Sequence, residues 1–265
     1  MSKEIKLVGF SILAIFAVVF LYTRPKVVIK DDAQTTQKTN EKTPPPKESV
    51  HELSEGLKAK LQTIRSTKES QSIIFNNIGL AFAEESVFDS AGYYFEKLVK
   101  VENTLANTIK AADMYNQAFS LGLDPIKNEQ YAEKARTYYG QAMAIDPSNL
   151  YAKTNLASTY VKSQTPMKAI TMLREVLDVN PNYVPAILSL GGLSMQSNQY
   201  DKAVLRFQKV LSLDANNVNA KLGLAYSYLE TNKKAEAKGI FQALLKSDIN
   251  QVMKDEVTKT LNTLK

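Results

Sequence analysis

Apolar and small side chains recur along residues 72–250 of this chain with a period of 34 residues. The three most regular copies cover residues 150–183, 184–217 and 218–250. Each copy contains two stretches in which apolar residues return every three or four positions, the spacing typical of amphipathic helices. The matching positions are Leu156, Ala157, Ala169 and Leu173; Leu190, Gly191, Ala203 and Phe207; and Leu224, Ala225, Ala237 and Phe241. Because a unit of this size cannot bury its apolar face alone, the period predicts an all-α solenoid of stacked helix pairs.

Two less regular copies precede these three, at residues 72–104 and 105–149. The second of them is 11 residues longer between its two helices than the regular copies. We predict its helices at Thr104–Leu121 and Pro125–Ala144, both longer than the helices of the other units. The extension at residues 116–130 has two interpretations, an inert lengthening of the hairpin or a dedicated contact element.

The residue types at these positions resemble those of the tetratricopeptide repeat (TPR) family. Small residues such as Gly191 and Ala203 lie where the two helices of a unit must approach closely, and Phe207 fills the space between units. Pro147 and Pro181 end their second helices, because proline cannot continue a helix. The resemblance implies a right-handed superhelix of about five helix–turn–helix repeats, with a concave groove that binds a protein or peptide partner.

Solenoids need polar-faced helices at their ends. Residues 49–71 are predicted as an N-capping helix and linker, with Ser49 and Glu52 as a capping box. Residues 251–265 are predicted as a C-terminal capping helix whose apolar stripe consists of Val257, Leu261 and Leu264. A coiled coil at the N-terminal helix is the alternative, but its stripe is too short for the three or four heptads that a coiled coil requires.

The N-terminus, residues 1–22, has the pattern of a membrane anchor. Leu7–Tyr22 is a run of 16 uncharged residues flanked by Lys6 and Arg24. As a helix it spans roughly 24 Å, somewhat less than the hydrocarbon core of about 30 Å, and the flanking cations can reach the interfaces. A cleaved signal peptide is the alternative, but the residues that follow lack a small-x-small cleavage site. We expect an uncleaved, single-pass span.

Residues 23–48 are rich in Thr, Lys, Gln and Pro and contain too few apolar residues to fold, so we predict a disordered tether. Basic residues on both sides of the anchor slightly favour a cytoplasmic repeat domain by the positive-inside rule. However, an N-terminal anchor joined by a polar tether to TPR units resembles bacterial inner-membrane proteins whose repeats face the periplasm. We therefore expect a periplasmic repeat domain, and the absence of cysteine is compatible with either side.

The composition narrows the chemistry. The net charge of +6 divides into +3 for residues 1–50 and +3 for the remaining residues, so there is no basic stripe and we expect no nucleic-acid partner. His51 is the only histidine and the chain has no cysteine, which excludes a thiol nucleophile and a thiolate metal site. No glycine-rich phosphate loop is present. We therefore expect neither catalysis nor a cofactor.

The first helix of each TPR unit lines the concave side, and the family's groove-facing positions can be transferred to this chain. In the first two units they include Ile73, Asn76, Leu80, Asp113 and Asn116. In the later units they form the predicted partner-binding groove: Tyr151, Thr154, Ser158, Leu188, Met195, Asn219, Leu222, Tyr226 and Leu229. The C-terminal half of this set is apolar and aromatic. We therefore predict that Tyr226 is partly exposed within one contiguous apolar patch.

TPR domains that bind acidic chaperone tails carry a set of Lys, Asn and Arg residues in the groove. Here only isolated asparagines such as Asn76 and Asn155 are present, which argues against that kind of ligand. We expect a membrane-tethered interaction scaffold that binds a protein segment and helps to assemble an envelope complex. Two alternatives remain at this point: an apocytochrome-binding factor in c-type cytochrome maturation, and a self-assembling homo-oligomeric scaffold.

Overall fold

The computed structural model describes residues 53–122, 125–161, 163 and 165–264, and the predicted anchor and tether lie outside these ranges. In the described ranges the regular structure is entirely helical. The helices are α1 (Glu55–Ser66), α2 (Gln71–Glu84), α3 (Phe88–Val101), α4 (Leu105–Leu121), α5 (Pro125–Ile145), α6 (Leu150–Ser158), α7 (Pro166–Val179), α8 (Val184–Gln196), α9 (Tyr200–Leu213), α10 (Val218–Glu230), α11 (Lys234–Leu245) and α12 (Gln251–Thr263). None of these described helices combines the length and the apolar character needed to cross a bilayer.

The helices stack in chain order as a solenoid of TPR type. Five pairs, from α2/α3 to α10/α11, lie between the end helices α1 and α12, and each helix contacts the next. The pair α4/α5 is the longest, with 17 and 21 residues against 9 to 14 in the other pairs. The predicted long hairpin is therefore confirmed to within one residue at each end. Gly122, with a φ of 59°, ends α4 in the left-handed conformation that glycine adopts at little cost.

Polar residues fix where several helices begin. The side chains of Ser70, Thr104, Asn149, Asn217 and Asn250 each accept a hydrogen bond from a backbone N–H in the first turn of the helix that follows. In α1 this residue is Ser54, whose hydroxyl accepts from Leu57 N at 3.1 Å. The prediction that this helix begins near Ser49 was therefore wrong, because the nearer serine caps the apolar run. Ser49 and Glu52 themselves lie outside the described residues.

The packing between units joins a large ring to small residues on both sides. Phe207 of α9 lies between Gly191 of its own unit and Gly223 of the next. A methyl group on Gly191 would lie 2.7 Å from the Phe207 ring, and one on Gly223 would lie closer still. The glycines are therefore required by close approach rather than by an unusual backbone conformation, as the repeat pattern predicts.

Ala203, also on α9, provides a test of the repeat register. It has no exposed surface, whereas its neighbour Lys202 is exposed. We expect Ala203→Leu to overpack the contact with α8 and to lower the free energy of unfolding by about 1–3 kcal/mol. Lys202→Leu should change it far less. Urea denaturation followed by circular dichroism measures both, and equal losses would contradict the register.

The first helix of the third unit is short. α6 ends at Ser158, and the residues after it form turns rather than a further helical turn. Arg136 of α5 donates a hydrogen bond to the Thr159 carbonyl at 2.8 Å, and its guanidinium lies 4.8 Å from the centre of the Tyr160 ring. Because a carbonyl at the end of a helix lacks an intrahelical partner, the guanidinium stabilises this early end.

Candidate partner-binding groove

The first helices of the units form one row along the solenoid. α6 contacts α8 and α8 contacts α10, whereas no pair of second helices is among the closer contacts between described elements. A row whose members also touch one another is the shorter, concave side of a solenoid. We call the face of α2, α4, α6, α8 and α10 on this side the groove.

The nine residues predicted for the groove differ widely in accessibility. Tyr151 and Asn219 are exposed. Half-buried are Ser158, Leu188, Met195 and Leu229. Buried are Thr154, Leu222 and Tyr226. The predicted residues therefore do not form one open patch.

Tyr226 is the clearest correction. It is only 6% exposed, its ring meets that of Phe241 edge-on at 5.2 Å, and its hydroxyl donates to Glu256 of α12 at 3.4 Å. Burial raises the pKa of Tyr226 to about 12. The prediction of a partly exposed Tyr226 beside an accessible Leu222 was therefore wrong.

The reason is the position of α12. This helix begins at Gln251, 33 residues after α10 begins at Val218, so it continues the stack almost as another first helix. Its apolar residue Val257 is fully buried in one cluster with Leu222 and Tyr226. The C-terminal end of the groove is thereby closed by the chain itself.

The accessible apolar surface of the groove lies in its N-terminal half. Ile73 and Leu80 of α2 are 43% and 44% exposed, and Tyr151 of α6 is 45% exposed. Ile73 and Leu80 are seven residues apart, two turns of one helix, so they share a face. Between α2 and α6, the groove face of α4 is polar.

Asp113 of α4 is the centre of that polar face. One carboxylate oxygen accepts a hydrogen bond from the Tyr139 hydroxyl at 2.6 Å, and the other accepts from the Tyr151 hydroxyl at 2.9 Å. Burial raises the pKa of the Asp113 carboxyl above its ordinary value, although the two phenol hydrogen bonds act in the opposite direction. The carboxylate therefore joins three helices, α4, α5 and α6, at the floor of the groove.

One helical turn beyond Asp113 and Tyr151, on the same two faces, lie Asn116 and Thr154. Both pairs have the same spacing of 38 residues along the chain. The Asn116 Oδ1 and Thr154 Oγ1 atoms are buried and have no hydrogen-bond partner among the described residues. We call these four residues, together with Tyr139, the polar recess.

Tyr139 is a site residue that the sequence analysis did not identify. It lies on the second helix of its unit, at the position where the other units carry Phe95, Leu173, Phe207 and Phe241. The additional hydroxyl was the available signal, because a buried tyrosine normally hydrogen-bonds its hydroxyl. The ring fills the core, and the hydroxyl extends to the groove.

The raised pKa of Asp113 predicts a specific pH dependence of stability. Its folded-state pKa lies above the unfolded value near 3.8, so the folded protein binds the proton more tightly than the unfolded chain. We expect the free energy of unfolding of the wild type to rise relative to that of Asp113→Asn as the pH falls from 7 through the raised pKa. Urea titrations at several pH values measure this difference, with Asp178→Asn on the exposed end of α7 as the control. A difference independent of pH would contradict the burial of Asp113.

A second polar cluster lies between α3, α4 and α5. The Glu96 carboxylate accepts from Tyr115 at 2.7 Å, from Lys134 at 2.8 Å and from Lys100 at 3.1 Å. Burial alone would raise the pKa of Glu96, but these hydrogen bonds, led by that of Lys134, hold it below its ordinary value. Because its carboxylate is fully paired within the protein, the cluster links three helices and gives no indication of catalytic chemistry. The described residues also contain no group of three or more acidic or histidine side chains placed to hold a metal ion.

Comparisons with known proteins support the TPR resemblance. The sequence model of the tetratricopeptide repeat matches residues 194–251. No curated protein matches the chain. Among solved structures, TTC0263, a thermophilic TPR protein from Thermus thermophilus, is 19% identical and has a TM-score of 0.57, with 72% of this chain and 98% of that chain covered.

Two further structures are similar. A tetratricopeptide repeat protein from Parabacteroides merdae ATCC 43184 is 18% identical with a TM-score of 0.56, and 79% of this chain and 80% of that chain are covered. MamA from Desulfovibrio magneticus RS-1, from residue 41 to its end, is 15% identical with a TM-score of 0.50, and 68% and 96% are covered. At these identities the likeness shows the fold. The described chain therefore has the TPR fold, which is a scaffold for protein interaction.

Proposed function

We propose that this protein is a membrane-tethered TPR scaffold that binds a segment of a partner protein in the N-terminal half of its groove and helps to assemble a complex in the bacterial envelope. The observation that carries the proposal is the placement of Ile73, Leu80 and Tyr151. All three are large, all are more than 40% exposed, and all lie on first helices. Exposed apolar side chains that share a concave face are typical of interaction surfaces.

The chemistry of the face indicates the form of the ligand. Leu80 and Tyr151 lie on either side of the polar recess, so apolar anchors alternate with hydrogen-bonding groups along the groove. An extended or helical peptide with spaced apolar side chains fits such a surface. The closed C-terminal end, where α12 covers Tyr226, limits the ligand to the first three or four units.

Site-specific photo-crosslinking in native membranes tests the groove. A benzoylphenylalanine residue replaces Tyr151 or Leu80 in the full chain, and a control carries it in place of Leu205, which is 67% exposed on the second helix α9. We expect the same adduct from both groove positions, identified by mass spectrometry, and its absence from the Leu205 position. An adduct confined to Leu205, or equal adducts from all three, would contradict groove binding.

The membrane part of the proposal is supported by the sequence pattern of residues 1–48. The uncharged run Leu7–Tyr22 and the polar tether after it would hold the solenoid close to the bilayer. We propose a single inner-membrane span with the repeats in the periplasm. Carbonate extraction should leave the full chain in the membrane fraction, and proteinase added to spheroplasts should degrade the repeats. Release by carbonate would remove the anchor from the proposal, and protection from proteinase would place the repeats in the cytoplasm.

A further inference from the structure

We propose that the polar recess is a subsite for a basic side chain, lysine or arginine, of the protein segment that binds in the groove. The proposal rests on the proposed function of the groove and specifies its ligand. It begins from Asp113, whose carboxylate accepts two phenol hydrogen bonds and has no cationic partner among the described residues. A half-buried carboxylate without a cation is costly, and a ligand cation that hydrogen-bonds to it would offset that cost.

The nearby cations of the described chain are engaged elsewhere. Lys110, one turn before Asp113 on α4, donates to Asn76 Oδ1 of α2 at 2.8 Å. Lys153, close to Tyr151 along α6, forms an ion pair with Glu175 of α7 at 2.6 Å. Both lysines therefore have partners on other helices, and the negative charge of Asp113 is left for a ligand.

The unpaired atoms of the recess indicate a ligand that donates several hydrogen bonds. Thr154 is only 4% exposed, and its Oγ1 has no partner among the described residues. Asn116 Oδ1, on the neighbouring face, also has none. Buried polar atoms are normally satisfied, so two such acceptors beside an uncompensated carboxylate favour a donor-rich group. Lysine offers three N–H donors and arginine five, and neither can accept.

The recess also lies where a bound peptide would pass. Tyr151 contributes its hydroxyl to Asp113 while its ring remains 45% exposed in the groove. A peptide whose apolar side chain contacts this ring would place a neighbouring side chain over the recess. The predicted ligand motif is therefore a basic residue within a few positions of a large apolar one.

Selection from a random dodecapeptide library displayed on phage tests the proposal. The bait is the full chain in detergent micelles, as the wild type, as Asp113→Asn and as Asp178→Asn, which removes the same charge outside the groove. We expect peptides selected on the wild type and on Asp178→Asn to share a Lys or Arg at one position. Peptides selected on Asp113→Asn should lose that preference and keep the apolar one.

A double-mutant cycle then measures the contact directly. The selected peptide and its Lys→Gln or Arg→Gln variant are titrated by fluorescence anisotropy against the wild type and Asp113→Asn. A charge-assisted hydrogen bond corresponds to an affinity loss of about tenfold or more for either change, with little further loss when both are combined. Thr154→Val, which removes an unpaired hydroxyl at nearly constant shape, should also weaken the basic peptide and leave the melting temperature unchanged.

The outcomes separate the two proposals. Selected peptides without a basic preference would overturn the subsite and leave the groove as the binding surface. The same holds if Asp113→Asn loses stability but binds the basic peptide with unchanged affinity, because Asp113 would then serve only to join Tyr139 and Tyr151. Failure of every bait to select any peptide would overturn both proposals.

Discussion

Phe207→Ala should lower the free energy of unfolding by about 3–5 kcal/mol, the loss expected when a phenylalanine is removed from a closely packed core. The side chain is only 4% exposed and is enclosed by Gly191 of its own unit and Gly223 of the next. Neither glycine has a side chain that could move into the cavity. The loss should appear in urea denaturation of the full chain followed by circular dichroism.

Leu205→Ala is the matched control, because Leu205 is a large apolar residue of the same helix and is 67% exposed. Its replacement should change the free energy of unfolding by about 0.5 kcal/mol or less. If the two variants lost similar stability, Phe207 could not be the contact that joins the fourth and fifth units.

Tyr226→Ala should destabilise the C-terminal end of the solenoid by about 3 kcal/mol or more. The ring packs against Phe241, and the hydroxyl donates to Glu256, so the substitution removes contacts with both α11 and α12. We expect an earlier urea transition and no direct effect on the N-terminal half of the groove. This expectation reverses the role that the sequence pattern assigned to Tyr226.

Tyr151→Ala should have the opposite profile. The side chain is 45% exposed, so its removal should cost about 1 kcal/mol or less, mainly through the hydrogen bond to Asp113. Photo-crosslinking from the Leu80 position should then weaken, although the protein remains folded. Loss of stability in Tyr151→Ala with an intact adduct would show that Tyr151 is a structural residue and would move the site elsewhere.

The helices could be predicted well because their signals are local. The period of 34 residues and the small–large alternation at positions such as Gly191 and Phe207 determined the pairs and the register between them. The long hairpin of α4 and α5 followed from the insertion alone. The beginning of α1 was misplaced because Ser49 and Ser54 both precede an apolar stretch, and only the hydrogen bond to Leu57 distinguishes them.

The site was harder to predict because accessibility depends on what covers a residue. The pattern placed Tyr226 on a first helix, and it does lie there, but α12 stacks against that helix and closes the space beside it. Asp113 could be assigned to the groove from its position in the repeat. Its two phenol partners could not, because Tyr139 and Tyr151 are 26 and 38 residues away in the chain and reach it from two other helices.

The sequence by itself determined the helical repeat, the pairing of helices and the residues that fill the core, because a periodic apolar pattern has few ways to be buried. Which half of the groove is open was decided by the tertiary structure. The fit of α12 against α10 covers the aromatic end, and the convergence of α4, α5 and α6 at Asp113 creates the polar recess. Both depend on contacts between residues far apart in the chain, for which a single sequence carries no local signal.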